Sequence, residues 1–438
     1  MKGKNQQTTG GIESLKKVVV LIATLDTKSE ESKFVMELLK NKDLEVITID
    51  VGTGLRGRPV FTPDYPAEEV ARAAGTTISE LLEIGRKAHE MVIMEKMIAG
   101  ASSIVSRLYA EGKLHGIFSL GGTMGTHMGA SVMRSLPFGV PKVMVSTAAS
   151  GDVGGWVGTK DIAMIPSIAD IVGLNRITRI SLRRAAGALV GMVFSGEEPL
   201  SDRPLVAVTT LGGTTAGAMR FKKRLDERGY EVVVFHAIGT GGKAMEELIS
   251  EGKIQGVFDL STNEVIDHLY GGMTDAGPKR LEMAGAMGLP YLVAPGNLDH
   301  LLFASRERIP EQFRGREVHA HGPTVLLLRS RKPEMEEVGK IMAQKLNVAK
   351  GPTAIIFPLR GFSIANKLAK EGFDDPEADH LLLETLRNNL RPDIKIIECD
   401  IHIDDEEFAQ RAADIFWDLY QEKERSDHHP REVDFLTR

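Results

Sequence analysis

The sequence predicts an α/β protein built from two tandem, Rossmann-like, doubly wound lobes with mostly parallel sheets. Two observations carry that prediction. Apolar runs of four to seven residues alternate with amphipathic helical stretches, the pattern of a parallel sheet covered on both faces. The pattern then repeats within the chain. VVVLIATLDTKSEESKFVMELLKNKDLEVITIDVGTG from Val18 is matched by LVAVTTLGGTTAGAMRFKKRLDERGYEVVVFHAIGTG from Leu205, EGKLHGIFSL from Glu111 by EGKIQGVFDL from Glu251, and GVPKVMV from Gly139 by GLPYLVA from Gly288. With 438 residues the chain exceeds one typical core. The lobes are expected at residues 1–199 and 200–438, joined near SGEEPLSDRP (Ser195 to Pro204), where charge and proline interrupt the pattern.

Within the first copy, a strand from Val18 ends in the turn Asp26-Thr27-Lys28 and feeds an amphipathic helix, in which Thr27 and Ser29 are expected caps. A second strand ends at Asp50, before Gly52-Thr53-Gly54. The spacing between the copies then shrinks, so the first carries an added segment, roughly residues 55 to 100, that the second lacks. A third strand, Ile117 to Leu120, breaks into Gly121-Gly122-Thr123-Met124-Gly125-Thr126, followed by a helix and a strand at Lys142 to Val145. After the second copy, TAIIFPLRG from Thr353 and DIKIIECDIHI from Asp393 read as further strands, and QEKERSDHHPREVDFLTR as a polar tail.

Composition narrows the function. Hydrophobic residues at 42% and charged residues at 26% describe an ordinary globular chain. A net charge of −6 supplies no basic field for nucleic acid or for a membrane surface. The single cysteine, Cys399, excludes an internal disulfide and a cysteine-rich metal site, and predicts a reducing, cytoplasmic setting. No apolar run approaches membrane-spanning length, and the polar start is a poor signal peptide.

A glycine turn between a buried strand and a helix lets backbone N–H groups approach an anion, and the helix N-terminus behind it adds partial positive charge. Ligands of open α/β sheets bind beyond the carboxyl ends of the strands. The turns after the first three strands of the first lobe are therefore expected to converge on a phosphate. Lys28 is a candidate point charge and Arg86 a candidate second cation. A helix N-terminus stabilises an anion by about 0.3–1 kcal/mol, whereas micromolar affinity needs about 8 kcal/mol. Charge, main-chain donors and Mg²⁺ must act together. Asp50 is open between holding a ribose hydroxyl and capping a turn.

Other templates fail. There is no G-x-G-x-x-G after the first strand, which disfavours an NAD-dependent oxidoreductase. HAIGTGGKA lacks the first glycine and the terminal Ser/Thr of a Walker loop. In the second lobe, Gly212 to Thr215, Gly239 to Lys243 and Pro295 to Asp299 are open between a second ligand site and relics of duplication. His236 reads as packed or capping. His319 and His321, with no His/Asp cluster at ligand spacing, read as structural.

The runs TLDTK (Thr24 to Lys28), IDVGT (Ile49 to Thr53), SLGGTMGT (Ser119 to Thr126) and VPKVMVSTAASGDV (Val140 to Val153) resemble an uncharacterised family. That family includes the ATP-binding N-terminal domain of the plant protein conferring resistance to tomato mosaic virus. GPKRLEMAGAMGLP (Gly277 to Pro290) and RPDIKIIECDIHIDD (Arg391 to Asp405) fit its second half. The resemblance implies two Rossmann-like halves, ATP with Mg²⁺ in the first, and a homodimer. Its nucleotide contacts fall here on Asp26, Thr27, Lys28, Thr53, Arg86, Gly122, Thr123, Met124 and Gly125. Thr123-Met124 stands where the family usually has Ser-Gly. Two function classes stay open: an ATP-dependent enzyme on an unidentified small molecule, for which Asp26, Asp152 and Asp161 are loose base candidates, and a non-catalytic, nucleotide-gated protein-binding module.

Overall fold

The computed structural model describes residues 16–52, 57–85, 90–196, 201–367 and 373–428. The chain divides into two compact units, Met1–Glu198 and Pro199–Arg438. Both are α/β. Among the described residues no helix is long and apolar enough to cross a membrane.

Unit 1 is a five-stranded parallel sheet in the order β2-β1-β3-β4-β5, formed by β1 (Val18–Ala23), β2 (Glu45–Asp50), β3 (Gly116–Gly121), β4 (Lys142–Ser146) and β5 (Ile162–Pro166). Val19 to Ala23 and all of β3 and β4 are buried. These strands are central and covered on both faces, which is why they read as continuous apolar runs. Alternation divides the core. Val20 and Ile22 pack with α4 (Glu90–Ala110) and α5 (Thr123–Arg134), while Val19 and Leu21 pack with α1 (Leu25–Lys40) and α7 (Arg176–Phe194). The short helices α2 (Ala67–Ala73), α3 (Ile78–Gly85) and α6 (Gly154–Val157) complete the unit.

The chain leaves β1 toward β2 on one side, whereas β3, β4 and β5 extend the other way. The reversal lies between β1 and β3, the topological switch point at which such sheets bind ligands. Registers Ala23↔Asp50 and Ile22↔Ser119 bring the turns after β1, β2 and β3 to the same end of the sheet.

The added segment is built on close backbone packing. A Cβ at Gly100 would lie 2.0 Å from the Val70 carbonyl oxygen, so α4 sits directly on α2 only because residue 100 has no side chain. Gly100→Ala is expected to cost about 1–3 kcal/mol by forcing the helices apart, measured as a lowered midpoint of unit 1 unfolding. An unchanged midpoint would show that the contact is dispensable.

Unit 2 repeats the plan at larger size. Its six-stranded sheet runs β14-β13-β9-β8-β6-β7, from β6 (Leu205–Thr210), β7 (Glu231–His236), β8 (Gly256–Ser261), β9 (Tyr291–Gly296), β13 (Thr353–Pro358) and β14 (Lys395–Cys399). A small antiparallel sheet of β10 (His300–Phe303), β12 (Leu326–Arg329) and β11 (His319–Ala320) is added. Its helices are α8 (Thr215–Asp226), α9 (Thr240–Ser250), α10 (Asn263–Tyr270), α11 (Met283–Ala286), α12 (Lys332–Leu346), α13 (Pro376–Asn389) and α14 (Glu406–His428).

Candidate functional site

A cavity of about 360 Å³ opens at the switch point of unit 1. Of the nine residues expected at the site, seven line it: Asp26, Thr27, Lys28, Gly122, Thr123, Met124 and Gly125. Thr53 and Arg86 lie outside the described residues.

The polar end is made by two helix N-termini. Gly122 is the N-cap of α5 at φ −74° and ψ −166°, and no side chain caps the helix. The first turn of α5 carries no acidic residue. The opening N–H groups of Thr123, Met124 and Gly125 precede the first intrahelical donor and have no helical partner. Thr126, the next residue, closes the turn by donating its N–H and its hydroxyl to the Gly122 carbonyl, each at 2.8 Å. Gly121 is required by the fold, since a Cβ there would fall 2.8 Å from the Gly125 Cα. Gly122 and Gly125 are different. A Cβ at either meets nothing nearer than 3.6 Å, so the chain itself leaves that space open.

At α1, Thr24 accepts from the N–H groups of Thr27 and Lys28, and the helix kinks at Lys28 (φ −123°, ψ 25°). The kink presents Lys28 to the cavity, and among the described residues no side chain pairs with its ammonium. The expected caps are used otherwise. Thr27 Oγ1 pairs with Thr24 Oγ1 at 3.0 Å, and Ser29 Oγ accepts from Val60 N at 2.7 Å.

Asp50 resolves to a structural role. Its Oδ1 accepts from Leu25 N at 3.0 Å and Gly52 N at 2.8 Å, tying the end of β2 to the start of α1. Burial pushes its carboxyl upward against those donors, and Asp26 and Glu68 push the same way. Gly52 is glycine for the same reason: a Cβ would lie 2.7 Å from Asp26 Oδ1 and 3.0 Å from Asp50 Oδ1.

The opposite wall is apolar and comes mainly from the added segment. Ile93, Met94 and Met97 of α4 join Met128 of α5, with Glu90 at the rim. Sequence reasoning missed this wall. The motif EMVIMEKM shows helical apolar spacing, which in isolation reads as core, and Met97 is indeed fully buried. The usable signal was the insertion itself, a segment present in only one copy and abutting the glycine turn.

Two of the three base candidates are engaged elsewhere. Asp161 accepts from the buried Lys142 ammonium at 2.7 Å, and Asp152 accepts from Gly154 N at 2.9 Å. Neither lines the cavity.

The corresponding turns of unit 2 are filled from within. At the N-terminus of α9, Gly239 N and Gly242 N donate to Glu264 Oε1 at 2.7 and 3.0 Å. The anion seat of the Gly239 to Lys243 loop thus holds the chain's own carboxylate. Glu264 Oε2 takes Arg280 Nε at 2.7 Å, and Arg280 also binds Asp259 and reaches Glu246, with Tyr291 donating to Asp259 at 2.8 Å. A Cβ at Gly213 would lie 3.0 Å from Asn297 Nδ2, and Asp299 is buried against Ser363 and His300. His236 lies 3.3 Å from the Thr210 carbonyl, and the His319 and His321 rings are 6.5 Å apart. Among the described residues no group of three or more His, Cys, Asp or Glu is placed to hold a metal.

Burial raises the Asp267 carboxyl to about 6 although Thr274 and Leu302 donate to it. A carboxyl held above its unfolded value contributes stability that is complete below about pH 4 and lost as pH rises through about 6. The unit 2 unfolding midpoint is therefore expected to gain from this group between pH 6.5 and about 4.5. A scan in which Asp267→Asn leaves that slope unchanged would remove it as the source.

In unit 1 a glycine turn, a lysine and an apolar wall thus meet at the switch point of an open parallel α/β sheet. The chain belongs to the uncharacterised protein family UPF0261, matching its N-terminal domain over residues 17–198 and its C-terminal domain over residues 203–420. A UPF0261 protein of Clostridium tetani is 44% identical over 91% of this chain and 98% of its own length. The ToMV resistance protein Tm-1(GCR237) of Solanum lycopersicum is 33% identical over 94% of this chain, which spans 57% of that protein. An alignment to a Staphylococcus aureus MnaA–UDP co-structure covers 93% of this chain and 99% of that one, at 13% identity and a TM-score of 0.20, too low to bear on fold or ligand.

Proposed function

We propose that unit 1 binds ATP with Mg²⁺ in the switch-point cavity. The observation that carries this reading is the convergence of the uncapped N-terminus of α5 and of Lys28, which no side chain among the described residues pairs, on a cavity that also has an apolar wall. Main-chain donors of the Gly122 to Gly125 turn and the Lys28 ammonium suit phosphate oxygens, and the Ile93, Met94 and Met97 wall suits a base. The oxygen donors around the turn (the Asp26 carboxylate, with the hydroxyls of Thr27 and Thr123) are of the kind Mg²⁺ takes, which it uses with the phosphates to neutralise charge.

Two uses of the nucleotide follow. An ATP-dependent enzyme acting on a small molecule rests on Asp26, which of the candidates Asp26, Asp152 and Asp161 is the one that lines the cavity. A nucleotide-gated, non-catalytic binding protein is favoured by the engagement of Asp152 and Asp161 elsewhere. Its setting is proposed as cytoplasmic and its assembly as a homodimer.

Calorimetry with ATP and Mg²⁺ tests the binding. Lys28→Ala is expected to weaken it roughly tenfold, about 1.4 kcal/mol; an absence of heat with the wild type would end the reading. Incubation with ATP and a metabolite extract, followed by mass spectrometry, separates the two uses. Metabolite-dependent phosphate release marks the enzyme, and binding without it the gated protein.

A further inference from the structure

We infer that Thr147, in the turn after β4, holds the terminal phosphate of the nucleotide and so makes the site select a triphosphate over a diphosphate. The inference rests on the nucleotide reading of the cavity and adds to it a direction and a selecting residue.

The direction comes from strand order. Along the ligand edge of the sheet the turns follow β2, β1, β3 and β4 in that sequence. The turns after β1, β2 and β3 line the cavity together with the apolar wall, and Thr147 lies outside it. Thr147 therefore stands on the far side of the glycine turn from β1 and β2. A nucleotide with its base on the wall and its phosphates on the amides of the Gly122 to Gly125 turn points its last phosphate past β3, toward β4.

The turn after β4 is fixed to the glycine turn. Gly121 pairs with Ser146 in the β3–β4 register, and Thr147 N donates to the Gly121 carbonyl at 3.2 Å. Ser146 Oγ, paired with Thr126 Oγ1 at 2.7 Å, accepts from Ala148 N at 3.0 Å. The backbone on both sides of Thr147 is thus held against the first turn of α5. Its Oγ1 lies 3.9 Å from where a Cβ on Gly122 would stand, at the edge of the space the turn leaves open. Thr147 is exposed, and among the described residues its hydroxyl has no hydrogen-bond partner. A hydroxyl donates readily to a phosphate oxygen, and a bond to a charged acceptor is about twice as strong as a neutral one. The turn brings no acid against it. Thr147 to Gly151 contains no acidic residue, and the Asp152 carboxylate that follows accepts from Gly154 N at 2.9 Å.

The internal repeat supplies a control. In the alignment that matches Gly139 with Gly288, Thr147 falls opposite Gly296. A Cβ at Gly296 would stand 2.1 Å from the Leu260 carbonyl oxygen, so unit 2 has no room for a side chain at this position. Unit 2 is also the copy in which Glu264 takes the donors of a glycine turn. The hydroxyl is present in the copy that keeps an open seat and sterically excluded from the other.

Calorimetry on the full chain with Mg²⁺ and either ATP or ADP tests the inference. Thr147→Val keeps the shape of the side chain and removes the donor. It should weaken ATP about tenfold and ADP by less than about twofold. Thr147→Ala, which removes the hydroxyl without adding a methyl, should repeat that result. Thr147→Ser restores a donor and should bind both nucleotides within about twofold of the wild type. Circular dichroism and the thermal midpoint report that each variant is folded. Equal loss of ATP and ADP in the valine and alanine variants, or no loss of ATP, overturns the inference while the nucleotide reading stands. A wild type that gives no heat with either nucleotide takes down the reading and the inference together.

Discussion

Gly122→Asp is expected to abolish ATP binding, raising the dissociation constant at least ~100-fold, about 2.7 kcal/mol, while leaving the fold as stable as the wild type or slightly more so. The two effects have one cause. Residue 122 is extended, in a conformation open to any residue, and a Cβ there meets only Thr147 Oγ1 at 3.9 Å. An aspartate accommodated without strain is a preferred N-cap, accepting from the N–H groups of Met124 and Gly125 and answering the helix dipole. Those are the donors proposed for phosphate. The substitution removes them and sets a negative charge in the seat. Gly122→Ala provides the control, since it adds a methyl without a charge or an acceptor, and should bind within several-fold of wild type. Equal heats for wild type and Gly122→Asp would sink the assignment of the turn. A large drop in the melting midpoint would instead indicate that the turn is strained in a way its dihedral angles do not show.

The second large effect is expected in unit 2. Arg280→Met removes the cation that holds Asp259, Glu264 and Glu246 in a site where Arg280 itself is 1% exposed. Breaking a buried ionic network by deleting one partner costs about 3–5 kcal/mol, a large part of the 5–15 kcal/mol by which domains are typically stable. Burial already holds the Glu246 carboxyl above its ordinary value against the pull of Arg280, so with that cation gone the folded state takes up a proton there and part of the loss is recovered as pH falls. The two tryptophans make the measurement clean. Trp156 lies in unit 1 and Trp417 in unit 2, so urea denaturation followed with Trp156→Phe isolates the unit 2 transition. A loss under about 1 kcal/mol would mean that the network contributes packing rather than charge balance.

Much of the scaffold was readable because the informative patterns are local. VVVLIA is apolar throughout and GIFSLG is broken only by Ser119 and its glycines, as a buried central parallel strand requires, and the duplicated order of strand, turn and helix repeats the same local grammar. The glycine turn was readable for the same reason, since a strand, two glycines and a helix are contiguous. What could not be read is what depends on distant residues. Asp50 was undecided between sugar and cap because its partner, Leu25 N, is 25 positions away. Glu264 lies 25 residues from Gly239, and nothing in GTGGKA discloses that the seat is already taken. The Met94 and Met97 wall was hidden by ambiguity of another kind, because a methionine stripe at helical spacing looks alike whether it faces a core or a cavity. Thr53 and Arg86, expected from the resemblance, fall outside the described residues.

The segment between β2 and β3 has an evolutionary consequence. In the first copy the anion grip belongs to the shared sheet, while the greasy side of the chamber comes from α4, which stands on α2 through Gly100. Grip and taste are thus encoded in separate stretches of chain. If the proposed binding holds, drift in the insert retunes which molecule is welcomed without disturbing the turns proposed to hold its charge, so relatives can diverge in ligand while keeping one backbone.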